Sequence, residues 1–116
     1  MTTLRIRLLF NGIKLGPGKA ELMERIRDTG SISAAGRQME MSYKRAWMLV
    51  EEMNAAFKEP LVASSRGGPG GGGAHLTPMG AQVLHQFRAL EAAARTATAP
   101  HIAALEAMQA DIPSRK

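Results

Sequence analysis

Residues 30–54, GSISAAGRQMEMSYKRAWMLVEEMN, read as two short helices joined by a tight turn. Ser33 is an N-cap candidate for a first helix through Ala34, Ala35, Gly36, Arg37 and Gln38. Ser42 caps a second, with Tyr43, Lys44 and Arg45 on its first turn. Met39, Glu40 and Met41 form a connection as short as a helix-turn-helix requires. Along the second helix, Ala46, Leu49 or Val50, Met53 and Phe57 recur at helical spacing and face a core. The opposite side of its first turn is polar and basic, the chemistry a helix presents in the major groove of DNA.

Working outward toward the amino terminus, a helix is expected from about Lys19 to Thr29. Its apolar stripe is Leu22, Met23 and Ile26, and Gly30 is its stop. Before it, Leu4 to Phe10 alternates as a strand, with Arg5 and Arg7 on a solvated face. Asn11-Gly12 offers a turn, and Ile13 to Leu15 extends or pairs that strand.

Toward the carboxyl terminus, Leu61 to Arg66 reads as a short strand and Ala74 to Thr77 as its partner. Between them lies the tract GGPGGGG, Gly67 to Gly73. Apolar strands on both sides make it a hairpin tip rather than an interdomain linker. Glycine's freedom and lack of a side chain suit close approach to a phosphate backbone or minor groove. The tract also satisfies G-x-G-x-x-G, but no βαβ unit surrounds it and no Gly-Lys-Ser or Gly-Lys-Thr closes it, so nucleotide binding is set aside. Thr77-Pro78 then starts a long helix. Val83, Phe87, Leu90, Ala94 and Ala97 recur at steps of four, three, four and three along it, a coiled-coil seam that Leu84 widens. Pro100 is read as a kink or as the first residue of a final helix.

The order strand, helix, helix-turn-helix, glycine-tipped hairpin, long helix is that of a winged helix. The expected fold is mainly α with a small β-hairpin wing (α+β), followed by a long carboxy-terminal dimerisation helix. The domain is expected over residues 1–77, the helical extension over 78–112 and a frayed tail over 113–116.

Composition limits the function classes. The 116 residues suffice for one modest domain, and with 45% hydrophobic but only 4% aromatic residues the core must use Leu, Ile, Val, Met and Ala. There is no cysteine, which excludes disulfides, thiolate metal sites and cysteine nucleophiles. No apolar signal segment or membrane-spanning run is present, so a cytoplasmic protein without membrane contact is expected. A net charge of +5 fits a polyanionic partner. Neither His85 nor His101 has a second ligand at metal spacing, and Ser64-Ser65 has no histidine partner. No metal, cofactor or catalytic centre is expected.

The expected DNA contacts are Ser33, Arg37, Ser42, Tyr43, Lys44, Arg45, Arg66, Gly70, Gly71 and His75, with Lys44 and Arg45 foremost. Tyr43 serves equally as a packing residue, and the bland reading of His75 is a strand-surface residue. Trp47, one position off the core stripe, is read as packing on the long helix. Val83, Leu84, Phe87, Leu90 and Ala94 are the expected homodimer contacts.

The residues carry a family resemblance as well. Gly30-Ser31-Ile32-Ser33, Ser42-Tyr43-Lys44, Ala46-Trp47, Glu52-Met53-Asn54, Gly70 to Ala74, Leu76-Thr77 and Gly80 resemble, at matching spacings, the amino-terminal DNA-binding domain of the molybdate-responsive ModE regulators, itself related to the LysR-type winged helix. The resemblance covers about Leu4 to Leu90 and implies a DNA-binding dimer. Full-length regulators of that family continue into molybdate-binding modules. No oxyanion site is expected within these 116 residues, and a separate sensor protein is a candidate partner. The rival expectation is a dimeric winged-helix module for protein contact that owes nothing to Lys44, Arg45 or the glycine tip.

Overall fold

A computed structural model describes residues 2–10, 12–65 and 73–110. The chain opens with a hairpin in which β1 (Leu8–Phe10) pairs antiparallel with β2 (Ile13–Leu15), Leu9 opposite Lys14. The expected strand is shorter than its sequence alternation, because only its last three residues have a partner. Leu4 to Arg7 are not part of a strand, so Arg5 and Arg7 do not lie on a strand face.

Helix α1 (Pro17–Thr29) begins with proline in its first turn, where a missing N–H costs nothing. It ends at Gly30, whose φ of 72° places it in the left-handed region while its N–H caps the Ile26 carbonyl. Helix α2 (Ile32–Gln38) and helix α3 (Tyr43–Ala56) form the helix-turn-helix. The two helices approach so closely that a Cβ on Gly36 would lie 2.9 Å from the Ala46 Cβ. In the turn between them Glu40 has φ 59°, an unusual position for a residue with a side chain.

The second hairpin pairs β3 (Val62–Ser64) with β4 (Ala74–Leu76), Ala63 opposite His75. Its base is closed by Ser65 N–H to the Gly73 carbonyl at 2.9 Å, and Ala74 N–H reaches the Gly30 carbonyl at 2.9 Å. The wing is thereby tied to the corner between α1 and α2. Asn54 ties it to α3, its Oδ1 accepting from Leu61 N–H and Val62 N–H while its Nδ2 donates to the Val62 carbonyl.

The long helix α4 (Pro78–Ala107) is capped by Thr77 and runs through Pro100 without ending there. Its first turns are part of the domain. Leu84 and Phe87 join Leu22, Met23, Ile26, Val50, Met53 and Leu61 in one core, as a chain poor in aromatics requires. Beyond Glu91 the helix is largely exposed. An ion-pair network clamps it to α1: Arg88 donates two hydrogen bonds to Glu24 at 2.8 and 2.9 Å and one to the buried Glu91 at 2.8 Å. Among the described residues, no helix is long and apolar enough to cross a membrane.

Candidate nucleic-acid interface

Helix α3 organises the site, and its faces follow from spacing alone. Ala46, Val50 and Met53 are buried, so the opposite face is centred on Lys44 and Met48, both exposed. Tyr43, Trp47 and Asn54 share the flank toward the wing, since Asn54 bonds β3. Arg45, Leu49 and Glu52 share the flank toward the amino-terminal hairpin. Ser42 caps the helix by accepting from Arg45 N–H at 3.0 Å, which fixes the first turn that carries Tyr43, Lys44 and Arg45. No ion pair engages Lys44 or Arg45 among the described residues. The acidic pair Glu51 and Glu52 stands about two turns further along, so the cationic surface of α3 is confined to its amino-terminal end.

On α2 the expected cap is displaced by two residues. Ser31, not Ser33, accepts from Ala34 N–H at 3.0 Å. Ser33 lies inside the helix, and its Oγ accepts from Arg37 Nη1 at 2.9 Å, which holds the exposed Arg37 guanidinium along the helix surface. His75 is exposed on β4, one residue beyond the buried Ala74. Arg66, Gly70 and Gly71 lie outside the described residues.

Between α2, α3 and the wing is a cleft bordered by Ser31, Ser33, Tyr43, Trp47, Ser64, Ser65 and Gly73. None of its walls comes from α4. Trp47 meets Tyr43 edge-on at 6.2 Å and borders this cleft, and it packs against the core to which α4 contributes Leu84 and Phe87. Its Nε1–H is shielded and finds no acceptor among the described residues. A second concavity, on the other flank of α3, is bordered by Arg5, Arg7, Lys14, Lys19 and Arg45.

The residues expected at a dimer seam divide. Leu84 and Phe87 are 5% and 1% exposed and fill the domain's own core, so they are not surface contacts. Val83, Leu90 and Ala94 are half-buried. Val83 and Leu90 border an apolar groove together with Leu8, Phe10, Phe57 and Met79. Among the described residues no group of three His, Asp or Glu side chains could hold a metal ion.

Sequence reasoning missed Asn54, Met48 and the second basic concavity. Asn54 was visible only as part of the family pattern. Met48 was readable from its place four residues after Lys44, on the face opposite the buried stripe.

Residues 19–81 match the bacterial regulatory helix-turn-helix protein, lysR family. The chain is similar to the molybdenum-pterin-binding protein MopB of Rhodobacter capsulatus, 43% identical over 81 residues, which cover 70% of this chain and 30% of MopB. It is also similar to the transcriptional regulator ModE of Yersinia pestis, 41% identical over 71 residues, 61% of this chain and 27% of that protein. The DNA-binding transcriptional dual regulator ModE of Escherichia coli K12 is 38% identical over 71 residues, with the same coverage. The chain spans less than a third of the length of these relatives.

Proposed function

This chain belongs to the bacterial regulatory helix-turn-helix family of lysR type, and on that premise we propose that it is the DNA-binding part of a homodimeric transcriptional regulator. The observation that carries this reading is the first turn of α3. Tyr43, Lys44 and Arg45 stand exposed on a turn fixed by the Ser42 cap, and neither cation is engaged by a carboxylate. In the major groove Lys44 and Arg45 take base edges or phosphates, Met48 offers an apolar surface to a thymine methyl group, and Tyr43 stacks on sugar or contacts phosphate. Ser33 at the start of α2, Arg37 in its last turn and Ser42 at the cap of α3 face the backbone. His75, Arg66 and the glycines at Gly70 and Gly71 belong to a wing laid on the backbone or in the minor groove.

Two copies join through α4, with Val83, Leu90 and Ala94 as contacts and the apolar groove beside them as the wall. Such a regulator acts on chromosomal DNA in the cytoplasm. The groove also supports a second reading, a module for protein contact that does not touch DNA. Fluorescence anisotropy of a labelled random duplex at stepped salt separates the two. Neutralisation of about six to ten phosphates by a dimer gives a slope of log K against log salt near −5 to −9. Trp47, the single tryptophan, borders the interface, so its emission should change on binding. A flat salt response, or no binding at low salt, would leave the protein-contact reading.

A further inference from the structure

The reading helix has two flanks, and only one of them faces the wing. On the other, three separate elements bring cations to a single cleft of about 370 Å³. Arg5 and Arg7 come from the segment before β1, Lys14 from β2 and Arg45 from the first turn of α3. Lys19, at the start of α1, completes the ring but is paired with Glu52 at 3.7 Å. The other four make no ion pair among the described residues, and all four are exposed. Like charges gathered without counterions repel one another, and a polyanion relieves that repulsion.

Position selects the polyanion. A helix lying in the major groove, about 12 Å wide, has a sugar-phosphate backbone along each flank. The wing is tied to one flank of α3 through Asn54, so it lies toward one strand. The basic cleft shares Arg45 with the opposite flank, which puts it toward the other strand. We infer that Arg5, Arg7 and Lys14 form a second backbone clamp, gripping the DNA strand across the major groove from the wing. This inference rests on the DNA-binding reading above. Its guanidinium and ammonium groups are spread over separate elements and open to solvent, as suits a track of successive phosphates better than one small anion.

The test replaces charge while keeping the aliphatic stems, with Arg5→Gln, Arg7→Gln and Lys14→Gln combined and Arg5→Gln alone. Each variant is titrated with random duplex DNA beside the unaltered protein, and circular dichroism verifies the fold. Loss of three phosphate contacts lowers the magnitude of the salt slope by about 2.7 per bound protomer, and the single variant gives about one third of that. Should the triple variant fail to fold, the single variant carries the same comparison. Ethylation interference should then show the lost phosphates on the strand that the wing does not contact. If the unaltered protein binds DNA and the variants keep its slope, the clamp is overturned while the DNA-binding reading stands. If the unaltered protein does not bind DNA at low salt, both fall. Saturable binding of inorganic phosphate at micromolar concentration, abolished in the triple variant without a change in DNA affinity, would instead make the cleft a small-anion site and overturn the clamp.

Discussion

A Cβ on Gly80 would stand 2.0 Å from the carbonyl oxygen of Leu61. The start of α4 therefore lies directly against the start of β3, joined there by Thr77 N–H to the same carbonyl at 2.9 Å. This contact seats the long helix on the domain.

Gly80→Ala is accordingly expected to destabilise. Alanine gains up to about 1 kcal/mol in helix propensity, but a clash with backbone forces a shift that costs about 3 kcal/mol, so the steric cost wins. The net loss of about 2 kcal/mol lowers the melting temperature by about 10 °C. A thermal melt that is unchanged or raised would show that α4 sits further from β3.

The turn of the helix-turn-helix gives the opposite sign. Glu40 holds φ 59°, where a side chain costs about 1–2 kcal/mol. Glu40→Gly removes that strain and costs about 0.4–1 kcal/mol through the freer unfolded chain. Chemical denaturation is expected to show a net gain of about 0.5–1 kcal/mol.

The clamp between α1 and α4 carries a pH dependence. Hydrogen bonds from Arg88 are the main reason the Glu24 carboxyl is held below its ordinary value of 4.5. A depressed carboxylate adds stability that is complete above its unfolded value and disappears as pH falls through the folded one. Glu24→Gln should thus lower stability by about 1 kcal/mol near neutrality, a modest figure because the pair is about one third exposed. In acid below the ordinary carboxylate range the melting curves of the two proteins should converge. A gap that persists there would show that Glu24 acts through packing.

Dimerisation through α4 predicts two classes of variant. Val83→Glu combined with Leu90→Glu should halve the mass in sedimentation without loss of helix content. Phe87→Ala should instead cost about 3–5 kcal/mol of folding stability, because that ring fills the core. An unchanged mass for the double glutamate variant would put the seam elsewhere.

Much of this fold was legible because its signals are local. Ser42, Thr77-Pro78, Gly30 and the stripe Ala46, Val50, Met53 each mark an end or a buried face within a few residues. Neighbouring alternatives were harder. Ser31 and Ser33 are both capping residues, and only the bond to Ala34 N–H decides between them. Val83, Leu84, Phe87 and Leu90 form one apolar stripe, and sequence does not say which side of it meets a partner and which the domain's own core. The basic cleft was illegible because Arg5 and Arg45 lie 40 positions apart and are brought together by tertiary packing.

Matched titrations of Lys44→Ala and Arg45→Ala on a selected site and on a scrambled one decide whether the first turn of α3 reads DNA. Loss of a bidentate base contact is expected to cost about 1–3 kcal/mol on the selected site and much less on the scrambled one. Uniform loss on both sequences, with the preference intact, would contradict the assignment of α3 as the reading helix.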